Sequence, residues 1–183
     1  LYFARGAATT GSTLSLIGTG GIATRVVGSV ASSEDGSISL RSIDHRAQED
    51  ARSIEWRGTG TAANTAAIEL RLRSSQDLEA ELKKDMLLVM TLQLRETPTA
   101  PVWLSVGCGD RCEGRVRIDT APGALPLQEW LRIGVPLKCL QSLGADMRRI
   151  DRPLRIETAG RLALGLSRVE LSNNPDRTVK CDA

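Results

Sequence analysis

Apolar residues alternate with polar ones along most of this chain, and the clearest run spans residues 86 to 95. There Met86, Leu88, Met90, Leu92 and Leu94 fall on one face, as a period of two requires of a strand against a core. Leu87 and Val89 begin the opposite face, and Thr91, Gln93 and Arg95 continue it as polar. The pattern predicts a central strand covered on both sides early and wetter later. Half-buried patterns of the same kind occur at Ala66 to Leu72, Val102 to Val106, Leu131 to Val135 and Leu162 to Leu166. Shorter candidates are Leu14 to Ile17, Ile22 to Val30, Ile38 to Leu40, Ile54 to Trp56, Val116 to Ile118 and Leu154 to Ile156.

Turn signals separate these runs: Gly18 to Gly21, Asp35-Gly36, Gly58 to Gly60, Ser74 to Asp77, Pro98 to Pro101, Pro122-Gly123 and Ala159-Gly160. Helical turns are expected only at Gln76 to Lys84 and Leu137 to Met147. Roughly ten short strands with regular turn signals predict an all-β fold, a two-sheet β-sandwich. In the last long run Leu162, Leu164 and Leu166 are even-numbered, whereas Val169 and Leu171 are odd. A one-residue change of phase marks a β-bulge or a bend, which here is expected only to shape the sandwich.

At 183 residues, with 24 Lys+Arg against 22 Asp+Glu, the chain is sized for one domain and nearly neutral. That balance argues against a nucleic-acid surface or a polybasic membrane anchor. There is no apolar run of membrane-spanning length and no signal-peptide pattern, and the start without methionine predicts a processed chain or part of a longer one. Aromatic residues make up only 3%, so each of the three tryptophans stands out. Trp56 shares parity with Ile54 and is expected in the core, while Trp130 stands at the start of its strand, out of phase with Leu131, Ile133 and Val135, where it would cap the sandwich. Trp103 is out of phase with Val102, Leu104 and Val106 and should project from the polar face.

The single histidine, His45, has no serine or cysteine motif beside it and reads as a surface residue. Cys108 and Cys112 could form a zinc half-site, but Cys139 and Cys181 lack a matching close spacing. Gly107, Gly109 and Gly114 make the first segment pliable enough for a small disulfide loop. The preferred pairing is therefore Cys108–Cys112 with Cys139–Cys181, the second tying the tail to the sandwich in an oxidising compartment. The acidic run Gln48-Glu49-Asp50 could hold a structural calcium through oxygen ligands, although it lacks the alternating spacing of a dedicated loop. No other cofactor is expected.

The stretch Asp44-His45-Arg46-Ala47-Gln48-Glu49-Asp50-Ala51, followed by Ile54-Glu55-Trp56-Arg57-Gly58, resembles part of a known domain. So do Trp130 to Cys139, Gly144-Ala145-Asp146-Met147, Pro153, the Leu162 to Leu171 strand and the Cys108 to Cys112 loop. The domain is the galactose-binding-like C-terminal domain of ExoP-type exo-β-glucanases and β-glucosidases of glycoside hydrolase family 3. The resemblance covers residues 1 to 171 as one galactose-binding-like domain, leaving 172 to 183 as a tail. It implies a jelly-roll accessory domain of a secreted or periplasmic glycosidase, partnered by that enzyme's catalytic domains, which braces them or contacts β-glucan. In such enzymes the catalytic carboxylates belong to preceding domains, and the Ser-Asp-Trp nucleophile motif does not occur here. If a sugar is bound, Trp103 is the expected stacking platform, since recognition needs a flat aromatic face with planar polar groups near it. The alternative is a free-standing secreted lectin-like or protein-binding sandwich.

Overall fold

A computed structural model describes residues 1–120 and 125–181; the turn expected at Pro122-Gly123 lies outside them. Alternation does become strands. These are β1 (Phe3–Ala4), β2 (Ala7–Ala8), β3 (Ser12–Ile17), β4 (Ala23–Arg25), β5 (Ala31–Ser32), β6 (Ile38–Ile43), β7 (Ala51–Arg57) and β8 (Ala66–Leu72). The second half adds β9 (Leu87–Glu96), β10 (Val102–Gly107), β11 (Glu113–Arg117), β12 (Trp130–Pro136), β13 (Arg152–Thr158), β14 (Arg161–Ser172) and β15 (Arg177–Thr178). Two short helices, α1 (Glu79–Lys83) and α2 (Leu137–Ser142), fall within the expected helical segments.

Among the described residues, one sheet has the order β15-β12-β9-β14-β7-β6-β5 with the β1–β2 hairpin on β14, and the other β11-β10-β13-β8-β3-β4. The β-sandwich expected from the sequence is thus present. Its core lies between the inner faces: Ile54, Leu88, Met90, Leu92, Leu162, Leu164 and Leu166 from the larger sheet meet Leu16, Ile68, Leu70, Leu104 and Ile156 from the smaller. Burying such side chains at roughly 1.5–3 kcal/mol each is what holds the layers together. Trp56 is 2% exposed, and its indole N–H donates to the Ala66 carbonyl at 3.1 Å. Because Trp56 belongs to β7 and Ala66 to β8, that bond stitches one sheet to the other and satisfies the only polar atom of a core indole.

Of the run expected as a strand at Ile22 to Val30, only β4 (Ala23–Arg25) forms, on the edge of the smaller sheet, and the next strand, β5, begins past the run on the edge of the larger. Between them the chain crosses from one layer to the other, Gly28 takes φ +87°, and Val27 is left 79% exposed. Alternation there reflects the crossover and not a half-buried face. The offset in the last long strand is a true bulge. Leu166 pairs with Leu92, but Arg168 pairs with Thr91, so Ser167 is the extra residue. With a pleat of period two, this insertion turns Arg168 and Glu170 outward and sends Val169 and Leu171 toward the core side.

Residues after Ser172 fold back over the outer face of the larger sheet, and β15 pairs with β12 in parallel, Ile133 opposite Arg177. Gly134 admits this crossing, since a Cβ there would lie 2.9 Å from the Pro175 ring. The segment is fixed beyond β15 by the disulfide Cys139–Cys181, and a second disulfide, Cys108–Cys112, closes the short loop after β10. No cysteine among the described residues is free.

The two disulfides should differ in weight, because loop-closure entropy grows with the residues enclosed: 42 for one bond and 4 for the other. By that account alone the long loop contributes about 4 kcal/mol and the short one about 2 kcal/mol. Replacing Cys139 and Cys181 together with alanine should therefore lower the urea midpoint more than replacing Cys108 and Cys112. Thiol titration of the denatured, unreduced protein should find no reactive sulfhydryl. Equal midpoints for the two double variants would show that loop size does not set their contribution.

Candidate functional site

The cleft on the outer face of the larger sheet is built from the residues that its register brings side by side. Trp130 on β12 stands opposite Gln93 on β9, which stands opposite Gly165 on β14. One step along, Arg132, Thr91 and Arg168 form the next row. Directly paired residues share a face, so the indole and two guanidinium groups line one surface. The bulge at Ser167 is what places Arg168 in that row.

Glycine at position 165 gives the indole its place. A Cβ there would come within 3.0 Å of Trp130 Cη2 and 3.1 Å of Ile43 Cδ1, closer than carbon atoms pack. The far end of the Trp130 ring therefore reaches over Gly165. His45, from the loop between β6 and β7, meets it with ring centroids 4.2 Å apart and planes tilted by 43°. Burial of the ring, reinforced by Arg46 beside it, pushes the His45 pKa below the ordinary imidazole range, against the opposing pull of Asp50. The shift favours the neutral imidazole, and its buried Nδ1 has no hydrogen-bond partner among the described residues.

The loop carrying His45 is held by its own carboxylates. Asp50 accepts the backbone N–H groups of His45, Arg46 and Ala47 at 2.7, 3.1 and 3.0 Å, and Asp44 accepts that of Glu49 at 2.6 Å. Burial works to raise the Asp50 pKa, but the amide bonds and the neighbouring His45 outweigh it and hold it below the usual carboxylate range. On the opposite side the folded-back tail forms a wall. Arg132 donates from its backbone to Asp176 at 2.8 Å, from Nε to the Asn174 carbonyl at 2.9 Å and from Nη2 to Ser172 Oγ at 3.1 Å. Glu170 bridges Arg132 at 3.2 Å and Arg168 at 2.8 Å. The enclosed space is about 490 Å³, completed by Arg5, Arg46 and Leu131 among others.

The expected platform, Trp103, is on the outer face of the other sheet, as its parity required, and is half-buried. The Arg115 guanidinium lies 4.1 Å from its ring centroid. Around it runs a carpet of ion pairs: Arg115 with Glu157 at 2.9 Å, Arg155 with Glu157 at 3.1 Å and Glu69 at 3.2 Å, and Arg71 with Glu69 at 2.8 Å. Trp103 is thus already stacked by a protein cation. Gln48 and Glu49 are exposed in the loop that Asp50 closes. Both Asp50 oxygens are engaged by amides, and among the described residues no group of three or more His, Cys, Asp or Glu side chains is placed to hold a metal ion.

Trp130, His45, Arg132, Arg168 and Glu170 are therefore the cleft residues that sequence reasoning did not assemble. The signal for Trp130 was its parity, the same one that singled out Trp103. His45 lies on a loop, where periodicity says nothing, and the two arginines acquire their positions from register and from the bulge.

Residues 15–171 match the Exop_C family model, described as galactose-binding domain-like. No curated protein matches the sequence. Among solved structures, the extra C-terminal domain of the exo-1,3/1,4-β-glucanase ExoP from a Pseudoalteromonas species superposes with a TM-score of 0.74 at 21% identity, covering 97% of this chain and 95% of that one. The complete ExoP gives 0.74 at 22% identity, with 96% of this chain matched to 20% of the enzyme. A family 30 carbohydrate-binding module from a Clostridium thermocellum cellulosomal cellulase gives 0.59 at 12% identity over 87% of this chain and 93% of the module. These structural likenesses concern the fold.

Replacing Asp50 with alanine should release the loop that presents His45. Hydrogen exchange at the amides of His45, Arg46 and Ala47 should quicken while the β9 amides keep their protection. Because the folded-state pKa of Asp50 is depressed, its contribution is present above the unfolded carboxylate pKa and is lost as pH falls through the lower folded value. In the parent protein the loop should thus stay ordered at mildly acidic pH and loosen only on acidification below the ordinary carboxylate range. Unchanged exchange in the alanine variant would show that the loop is held by other means.

Proposed function

The chain belongs to the Exop_C family of galactose-binding-like domains, and from that premise we propose that it is the accessory domain of a secreted or periplasmic glycoside hydrolase of the family 3 β-glucosidase or exo-β-glucanase type, where it holds β-glucan in the Trp130 cleft. The domain is not itself the catalyst: it matches, nearly end to end, an extra C-terminal domain of a glucanase. Two carboxylates lining the cleft support the same reading. Asp50 is taken up by backbone amides and Glu170 by two guanidinium groups, so neither has the isolated, apolar setting of a general acid.

The observation that carries the binding function is the indole of Trp130 reaching over Gly165 with planar polar groups in the adjoining row. The C–H face of a pyranose packs on an aromatic ring, while its hydroxyls need bidentate partners such as Arg132, Arg168 and Glu170. Two disulfides support an oxidising compartment for the parent enzyme.

Affinity electrophoresis in soluble β-1,3/1,4-glucan tests the reading. The parent chain should be retarded, and Trp130→Ala should weaken retention by about tenfold or more with only a small change in melting temperature. Trp103→Ala should leave retention nearly intact, because its ring is stacked by Arg115. Loss of retention with Trp103→Ala and not with Trp130→Ala would move the site to the other sheet. Absence of retardation in the parent chain would reduce the domain to a brace for its enzyme.

A further inference from the structure

The cleft around Trp130 contains more positive charge than its own carboxylates use. Glu170 is bridged by Arg132 and Arg168, Asp176 accepts the Arg132 amide, and Asp50 is spent on the His45 loop. Arg5 and Arg46 line the same cleft, are exposed, and have no side-chain hydrogen-bond or ion-pair partner among the described residues. They come from different elements. Arg46 belongs to the loop pinned by Asp44 and Asp50, and Arg5 to the tip of the β1–β2 hairpin.

The hairpin tip adds a second observation. Arg5 and Gly6 form a two-residue turn between β1 and β2, with φ +54° and +79°. Both positions of such a turn require left-handed backbone, for which glycine, asparagine or aspartate is the relaxed choice at the first. An arginine is accommodated at the first of them, with its side chain exposed at the cleft. Gly6 is confined, since a Cβ would lie 2.6 Å from Arg52 Nη1. The hairpin is locked to β14 by pairing of Phe3 with Val169 and Ala4 with Arg168, so its tip stands beside the row that carries Arg168.

From these placements we infer that the cleft selects a glycan bearing a carboxylate, an acidic hexuronate unit, with Arg5 and Arg46 receiving the carboxylate while Trp130 stacks on the ring. The inference rests on the reading of the cleft as a sugar site and adds the charge of the unit it takes. A guanidinium offers a planar pair of donors that matches a carboxylate in shape and charge. A neutral glucose unit leaves both groups without a counter-ion.

The test compares one glucan in two forms: laminarin, and laminarin whose C6 hydroxymethyl groups have been oxidised to carboxylates. Titration of the 183-residue chain with each at low ionic strength should show the oxidised form binding about fivefold tighter, the size two exposed ion pairs supply. The preference should shrink at about 0.3 M NaCl, where screening is strong, and vanish in the double variant Arg5→Ser, Arg46→Ser. A control variant, Arg25→Ser with Arg73→Ser, removes two exposed arginines outside the cleft and should keep it. Trp130→Ala should weaken both forms. Equal binding of the two glucans by the parent chain, still sensitive to Trp130→Ala, would overturn the charge selection and leave the sugar site standing. A preference that survives in the Arg5, Arg46 variant, or that falls equally in the control, would also overturn it. Binding of neither glucan would overturn both readings.

Discussion

One extra residue in β14 decides what both faces of the larger sheet contain. That strand pairs with β7, β9 and β1, so its pleat sets the phase for the middle of the layer. Without Ser167 as an insertion, Leu162, Leu164 and Leu166 would face the core and the strand would then bury Arg168 and Glu170. Two charges in an apolar layer are costly, and Val169 would be driven to the surface. The bulge resolves the conflict by letting the whole strand keep its apolar side inward. The cleft is the other side of the same adjustment, because the residues that it turns outward are the ones that meet Arg132 and Trp130.

The two outer faces are chemically unlike although both come from alternating strands. On the smaller sheet Glu69 and Glu157 have arginines beside them, and Trp103 is covered by Arg115. The larger sheet instead has walls, the His45 loop on one side and the folded-back tail on the other, and its aromatic ring is met by an imidazole whose burial favours the neutral form.

The sheets were legible in the sequence because a period of two survives wherever one face is buried. Leu88 to Leu94, Ile68 and Leu70, and Leu104 and Val106 all pack as their spacing implied. The reading failed at Ile22 to Val30, where alternation without a core behind it carries no structural meaning. It was silent on β15, since Arg177 and Thr178 are too short a run to show any period. The cleft was legible only in fragments. Parity put Trp103 on an outer face, but Trp130 was expected to cap the sandwich end; that it instead joins a cleft depends on topology, which sets Gln93 and Gly165 beside it. The bulge was visible as a phase change, yet its consequence for Arg168 required knowing that Thr91 stands opposite.

Arg132 draws its fixing partners, Asn174 and Asp176, from 42 and 44 positions further along the chain, and the segment that supplies them is anchored by Cys181. A chain is made from its N-terminal side, so the floor of the cleft leaves the ribosome well before its wall. Until the later segment arrives, Arg132 has only its contacts to Glu170 and Ser172, and the cleft is open on one flank. The wall of the cleft thus depends on a segment made after its floor and held in place by the Cys139–Cys181 bond.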